Sequence, residues 1–505
     1  MNLDFIEYVI VKAGGLGSRM GKFTKNKPKC LIPYKGKTIL ENLLNVFSNK
    51  KIIIISDYLG DVLQNYVSNI LKQPDVIFIN VDSKTTSTGL KQALSLLNEN
   101  SSFIYVWSDI IFEEIPYFNV ENDILIGVTN NFNCRYSIID NKITKGISDN
   151  NGIFGFFAFK SKSILNDLDE SISFVGNNLM KIENKFKVDF INFQNVLEIG
   201  TEEIYLNLIK EEESCRFFNK VDIIDNTVIK TCIDSNYKSL IKDEINWYRF
   251  LKDKIDFIPK ILSVDPLTLS KINGLQLHKD NIPDYLKIKI LDSIYDNFYT
   301  LHNLDKKEIN LTDIEDIYLK KTFDRVNSVK NLIPFFNDEY IKIDNKLNLN
   351  PFHYKNINSF IDQIKSIKVN EYNIIHGDPT FSNIIFSDPK CYFIDPRGHF
   401  GNTKIYGDRK YDWAKLYYSV NGNYDSINTK DFQVNINKNE VELNIKSNKF
   451  EHLSYHVIES SGINLTEMEL MHSLIWLSLT GYVKEDIDSV LYSYYKGVKV
   501  WNLTL

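Results

Sequence analysis

At 505 residues the chain is too long for a single hydrophobic core, while 43% hydrophobic and 25% charged residues are ordinary for globular domains. A net charge of -6, with Lys and Arg spread along the sequence, gives no argument for nucleic acid or an anionic membrane as partner. Five scattered cysteines (Cys30, Cys134, Cys215, Cys232, Cys391) without C-x-x-C spacing read as reduced structural thiols, and the lack of a signal-peptide pattern or a membrane-length apolar run points to a cytoplasmic protein with no membrane insertion.

From about residue 8 to residue 200, short β-branched runs alternate with helical stretches. Strands are expected over 8–11, 52–56, 76–80 and 103–107, and helices over 40–47, 59–71 and 89–97. Strands without polar alternation, separated by helices, predict a parallel sheet covered on both faces. Residues 152–159 read as a late, central pair of strands. A different texture begins near Cys215. Residues 216–221 and 227–231 flank Asp225-Asn226, a good hairpin turn. A helix follows over about 242–251, then Lys- and Asp-rich helical segments and a helical tail over 466–501. No internal repeat or low-complexity linker stands out. The acidic stretch within 209–214 sets the expected boundary, giving domains 1–212 and 213–505.

After the first strand comes Ala13-Gly14-Gly15-Leu16-Gly17-Ser18-Arg19, and then Lys27-Pro28-Lys29-Cys30-Leu31-Ile32-Pro33. The dinucleotide fingerprint fails because Met20 stands where its third glycine belongs, and a P-loop would need a glycine at Leu31. What remains is a turn whose backbone amides can approach phosphates, with cationic charge from Arg19 and Lys29 around a triphosphate. This block resembles the nucleotidyltransferase (nucleoside-diphosphate-sugar pyrophosphorylase) superfamily, with its A-G-G-x-G-x-R … P-K-x-L-x-P hallmark. The resemblance implies a Rossmann-like three-layer sandwich in which Gly14, Gly15, Gly17, Arg19 and Lys29 bind nucleotide phosphates, Arg19 and Lys29 also serving catalysis. It further implies that Asp109, at a strand end, binds Mg²⁺, and that Glu198, in Leu197-Glu198-Ile199-Gly200-Thr201, is the second metal ligand in place of the usual Asp. Residues 85–89 would form the loop over the base, with Gly89 allowing close approach. Lys12, where a small residue is usual, either adds a phosphate contact or points away.

Farther along, His376-Gly377-Asp378-Pro379-Thr380-Phe381-Ser382-Asn383 precedes Phe393-Ile394-Asp395-Pro396-Arg397-Gly398. This acid, amide, acid order suits phosphoryl transfer: one Asp takes a hydroxyl proton while an Asn and a second Asp hold Mg²⁺. The region resembles the aminoglycoside phosphotransferase and choline kinase group, which implies a bilobal protein-kinase-like fold. By that resemblance Asp378 is the catalytic base and Asn383 and Asp395 are Mg²⁺ ligands. Lys230, on the second hairpin strand, would hold ATP phosphates and pair with Glu244, and His376 would be a scaffold of the loop. Tyr411-Asp412-Trp413 resembles the helix whose Asp braces the catalytic loop. Arg397 is either a substrate contact or part of an internal salt bridge.

Together the two resemblances imply a bifunctional enzyme. ATP phosphorylates a small hydroxyl compound, and the phosphate ester then displaces pyrophosphate from an NTP, with CTP favoured. The product would be an activated building block for a bacterial capsule or surface glycan. Two alternatives stand beside this: a sugar kinase joined to a sugar-phosphate nucleotidyltransferase, and a non-catalytic nucleotide-binding regulator. If the acceptor were choline, its quaternary ammonium would want an aromatic cage, for which Trp413, Tyr417 and Tyr418 are available.

Overall fold

A computed structural model of the chain describes residues 5–82, 84–116, 122–212 and 218–505. Their contacts divide the chain into two units, Met1–Leu208 with Glu485–Asp488, and Ile209–Lys484 with Ser489–Leu505.

In the first unit, β1 (Tyr8–Lys12) is followed by α1 (Ile39–Val46), β2 (Lys51–Ser56), α2 (Gly60–Asn65), β3 (Ile77–Asn80), α3 (Leu90–Ser95) and β4 (Phe103–Trp107). Then come β5 (Ile110–Phe112), β6 (Ile124–Thr129), β7 (Cys134–Ile139), β8 (Lys142–Ser148), β9 (Gly152–Phe159), β10 (Val188–Asn192), β11 (Val196–Glu198) and α4 (Glu202–Glu212). Nine of these strands form one sheet, ordered β8-β7-β9-β4-β1-β2-β3, with β6 pairing both β9 and β10. The β1, β2 and β4 strands are buried on both faces, as their unbroken Val, Ile and aromatic runs require. Tyr8, Ile10, Ile53, Ile55, Phe103 and Tyr105 share a core with Leu90, Ala93 and Leu94 of α3. At the start of α1 the Thr38 hydroxyl accepts the Glu41 amide at 3.0 Å, a Thr-x-x-Glu start signal that fixes where the helix begins.

Two expectations need correction. The sheet is mixed rather than parallel: β9 runs antiparallel to both β4 and β6. Residues 152–159 form one strand, not two, because Gly155 (φ +102°) marks a bulge and not a turn, with the Trp107 ring packed where a side chain would stand. The helix expected over 59–71 is α2 continued by a wider π turn over Tyr66–Ile70. The first unit also includes residues far outside 1–212. The buried Lys27 ammonium pairs with Asp486 at 2.8 Å and with Asp488, and these carboxylates outweigh burial and raise its pKa.

The second unit opens with β12 (Asn219–Ile224), β13 (Thr227–Cys232), α5 (Lys238–Leu251), β14 (Ile261–Val264) and β15 (Leu267–Ser270). These strands make an antiparallel sheet in the order β12-β13-β15-β14. The hairpin pairs Ile224 with Thr227 around Asp225-Asn226; Cys215 and Arg216, where its first strand was expected to begin, lie outside the described residues. Then follow α6 (Asp284–Asn303), α7 (Lys321–Val329), β16 (Tyr372–Ile374), the hairpin β17 (Ile384–Ser387) and β18 (Lys390–Phe393), α8 (Arg409–Val420), α9 (Leu465–Leu479) and α10 (Ile487–Trp501). The tail expected as one helical region over 466–501 is thus two helices with a break between them. Trp476 and Trp501 are wholly buried. No helix among the described residues is long and apolar enough to cross a membrane.

Candidate active sites

In the first unit the glycine turn leaves β1 with Gly15 at φ +131° and Gly17 at φ +60°. A side chain on Gly17 would press on Thr24 at 3.0 Å, and the Thr24 hydroxyl donates to the Gly17 carbonyl. The turn is therefore tight at Gly17, whereas a side chain on Gly15 would meet nothing within 4 Å. Four of the expected residues converge beside it. The Lys29 ammonium lies 2.8 Å from Asp109 Oδ2, and the exposed Arg19 guanidinium lies 3.9 Å from Glu198 Oε1. The two carboxylates meet because β5 and β11 pair antiparallel with Glu198 opposite Ile110, while the Ile199 amide donates to the Asp109 carbonyl. Burial, and next the Asp109 charge, push the Glu198 carboxyl up from its ordinary range.

Asp109 Oδ1 is buried and has no hydrogen-bond partner among the described residues. An uncommitted carboxylate oxygen beside a second carboxylate fits a divalent cation. Among the described residues no group of three or more His, Cys, Asp or Glu is placed to hold a metal. A two-carboxylate site completed by nucleotide phosphates is the arrangement that the donors allow.

Gly89 lies in a loop pinned from several sides. The Lys12 ammonium donates to the Thr88 carbonyl at 2.9 Å, Thr85 donates to the Glu170 carbonyl at 2.8 Å, and Thr86 accepts the Phe174 amide at 3.0 Å. Lys12 thus points at the 85–89 loop, and burial brings its ammonium down to about 8. A side chain on Gly89 (φ +86°) would fall 2.7 Å from Ile55 Cγ2, so packing against β2 already demands glycine there.

The second unit gathers its expected residues through three elements. The Lys230 ammonium on β13 is 2.7 Å from Glu244 of α5 and also contacts Asp395. Burial pulls its pKa down, but Asp395 and Glu244 outweigh that and hold it up. Asn383 Nδ2 donates to the Asp378 carbonyl at 2.8 Å, which leaves its amide oxygen as an acceptor. That oxygen and the Asp395 carboxylate are a donor pair suited to Mg²⁺. The loop is braced from α8: Asp412, fully buried, accepts the His376 amide at 2.8 Å and the Gly377 amide at 2.7 Å, and stands 3.1 Å from His302 Nε2. His376 accepts the Asp378 amide on Nδ1, and its Nε2 lies 3.0 Å from the Ile394 carbonyl; burial keeps the ring neutral by lowering its pKa.

Arg397 forms no ion pair with a carboxylate among the described residues; its Nε lies 3.1 Å from His399 Nε2. The aromatic residues suggested as a cage are otherwise engaged. Trp413 packs on Tyr295 and Phe298, Tyr417 donates to Glu469, and the Lys415 ammonium lies 5.4 Å over the Tyr418 ring. Sequence reasoning missed Lys415, whose ammonium is 2.9 Å from Asp378 Oδ1. Its place one turn after Tyr411-Asp412 was the available signal.

Residues 9–116 match the family model of the MobA-like NTP transferase domain. With the sheet and the Arg19, Lys29, Asp109 and Glu198 cluster, this makes the N-terminal unit a nucleotidyltransferase-like domain. A CTP:phosphoglutamine cytidylyltransferase of Campylobacter jejuni is 29% identical over 114 residues, covering 20% of this chain and 44% of the relative. A glucose-1-phosphate cytidylyltransferase of Salmonella typhimurium is 29% identical over 126 residues, covering 20% of this chain and 49% of the relative. The chain thus spans about half the length of these curated relatives. A solved CTP:phosphocholine cytidylyltransferase of Streptococcus pneumoniae is 18% identical, with 41% of this chain and 100% of that chain covered and a TM-score of 0.35.

Proposed function

We propose that the chain phosphorylates a small hydroxyl compound with ATP in its second unit and couples the resulting phosphate ester to CTP in its first. One observation carries this reading: each unit holds its own set of groups for phosphate chemistry, Arg19, Lys29, Asp109 and Glu198 in one, Lys230, Glu244, Asp378, Asn383 and Asp395 in the other.

In the second unit, read as a kinase-like fold, Lys230 holds ATP phosphates while Glu244 orients it. Asp378 takes the acceptor's hydroxyl proton as the oxygen–phosphorus bond forms and the bond from the γ-phosphorus to ADP breaks. Asp412 acts through the backbone of the loop, keeping Asp378 in place. In the first unit the phosphate ester oxygen attacks the α-phosphorus of the nucleotide and pyrophosphate leaves. Arg19 and Lys29 neutralise the leaving group, and the turn at 14–17 offers backbone amides to the phosphates. Asp109 and Glu198, and in the second unit Asn383 and Asp395, would hold Mg²⁺, which would supply further charge neutralisation when bound. CTP is favoured because the curated relatives named above are cytidylyltransferases. The product, a CDP-linked compound, is of a kind suited to transfer onto a bacterial capsule or surface glycan. A sugar acceptor is the second reading, favoured by the glucose-1-phosphate cytidylyltransferase match.

The test is phosphorus NMR of the chain with ATP, each NTP, Mg²⁺ and a panel of alcohols, amino alcohols, hydroxy acids and sugars. The expected result is a phosphate monoester followed by a CDP diester and pyrophosphate. Turnover of ATP with no ester from any acceptor, or an ester never coupled to a nucleotide, contradicts the reading.

A further inference from the structure

We propose that the acceptor phosphorylated by the second unit carries an anionic group, a carboxylate or a phosphate, and that Lys321, Arg325 and Arg397 bind it beside Asp378. The proposal rests on the phosphotransferase reading of that unit and adds the chemical class of its substrate.

The geometry starts on two helices. Lys321 and Arg325 stand four residues apart on α7, and Tyr411 and Lys415 four apart on α8, so each pair shares one helix face. The faces meet: the Lys321 ammonium is 3.4 Å from the Tyr411 hydroxyl and 5.3 Å from its ring centre. One turn along α8, Lys415 reaches Asp378 at 2.9 Å. Arg397 lies against the same loop. Gly377, next to Asp378, has φ +84°, and a side chain there would fall 2.9 Å from the Arg397 Cβ; the Arg397 amide donates to the His376 carbonyl.

Charge is unbalanced here. Asp378 is engaged by Lys415, Glu244 and Asp395 by Lys230, and Asp243 by Lys404. Among the described residues none of Lys321, Arg325 and Arg397 forms an ion pair with a carboxylate. Arg325 gives one N–H to the Ser478 carbonyl at 2.8 Å and lies 5.5 Å from the Tyr482 ring, which leaves most of its five donors uncommitted. The groups register the excess. Burial lowers the Lys321 ammonium to about 7, helped by Arg397, Arg325 and Lys415. Burial alone would raise the Tyr411 phenol, yet Lys321, Lys415 and Arg397 bring it down to about 7. The hydroxyl of Tyr418, buried on α8 beneath Lys415, has no hydrogen-bond partner among the described residues.

Half-buried cations with no carboxylate partner, balanced only in part by the acidified Tyr411 phenol, cost stability unless an anion joins them. Lys321 meets Tyr411, one turn before the Lys415 that pairs with Asp378, the group that takes the acceptor's proton, and the Arg397 backbone joins the same loop at His376, whereas Lys230, the expected contact to ATP phosphates, is matched by Glu244 and Asp395. A neutral sugar would gain nothing from them, and a quaternary ammonium would be repelled. Guanidinium forks match carboxylate and phosphate oxygens equally well in geometry, so the shared chemistry is the anion.

The experiment uses the full chain with Mg²⁺ and ATP and a matched acceptor set, glycerol, choline, glycerate and glycerol 3-phosphate, within a wider panel of sugars, amino alcohols, hydroxy acids and phosphorylated polyols. The expected result is that anionic acceptors exceed their neutral counterparts in kcat/KM by about tenfold or more, the comparison of glycerate with glycerol 3-phosphate separating carboxylate from phosphate. Arg325→Gln and Lys321→Gln should raise KM for the preferred anion by about tenfold while KM for ATP stays within about twofold, and Lys321→Arg should restore it. Should Arg325→Gln fail to fold, Arg397→Gln is read in the same way. Neutral or cationic acceptors used as well as the anions, or a rise in KM for ATP instead of the acceptor, overturns the proposal. Absence of phosphorylation across the whole panel overturns the phosphotransferase reading beneath it.

Discussion

The two units handle positive charge in opposite ways. In the first, cations near the glycine turn are set against acids, Lys29 against Asp109 and Arg19 towards Glu198. Such a cluster is nearly neutral when empty, so a nucleotide and its cation can enter and leave while the pairs exchange partners. In the second, among the described residues, Lys230 and Lys415 are matched in this way, and Lys321, Arg325 and Arg397 are not. Balanced charge marks a place for a substrate that brings its own counter-ion; unbalanced charge marks a place where the substrate is the counter-ion.

The comparison is easiest to break at its chemical centres. Asp378→Asn should lower ATP-dependent phosphorylation by about three orders of magnitude or more, because a positioned general base is worth about 10²–10⁴ and the new amide also loses its charge pair with Lys415. Nucleotidyl transfer to an added phosphate ester should continue at the wild-type rate. The reverse holds for Asp109→Asn, which should reduce pyrophosphate release by about 10²–10³ while the kinase proceeds. Enzyme-coupled assays of ADP and of pyrophosphate, run on both variants, check the pair; loss of both activities in either variant would mean a composite site.

A structural contrast is smaller but cleaner. Asp412→Ala strips two buried backbone N–H groups of their acceptor, at a cost of about 2–4 kcal/mol. Denaturant unfolding followed by Trp fluorescence should show this loss, with nucleotidyl transfer retained at low denaturant. The smallest effect concerns Glu198. Its raised pKa means that the folded protein binds this proton more tightly than the unfolded chain does, so the group stabilises less as pH rises from the ordinary Glu range through the raised value. Cation binding needs the ionised form, so Mn²⁺ affinity in the first unit should weaken as pH falls through the raised Glu198 range towards the ordinary Glu range. Glu198→Gln should flatten that dependence, and an unchanged profile in the variant would remove Glu198 from the metal site.

Much of this was legible in the chain because the informative residues are close in sequence. The turn at 14–19 and the loop at 376–383 are continuous segments, and their spacing carries their geometry. Strands β1, β2 and β4 announce themselves by unbroken apolar runs. What could not be read arises from packing between distant elements. Lys321, Arg325 and Lys415 look like ordinary charged positions on Lys-rich helices; only the meeting of α7 and α8 sets Lys321 against Tyr411, one turn from the Lys415 that reaches Asp378. Residues 152–159 read as a pair of strands because a sequence does not reveal that the Trp107 ring lies against Gly155. The aromatic residues available for a cage, Trp413, Tyr417 and Tyr418, fall on a helix whose surface is almost wholly buried, where aromatic residues serve the core.

The most direct measurement is a phosphorus NMR time course of the full chain with ATP, CTP, Mg²⁺ and its preferred hydroxyl acceptor, repeated with Asp378→Asn and with Asp109→Asn. The wild-type chain should show a monoester resonance rising and then giving way to a CDP diester with pyrophosphate. Asp109→Asn should stop at the monoester, and Asp378→Asn should form the diester only when the monoester is supplied. A diester that appears in Asp378→Asn without added monoester, or a monoester that the wild-type chain never consumes, would contradict the assignment of consecutive reactions to the two units.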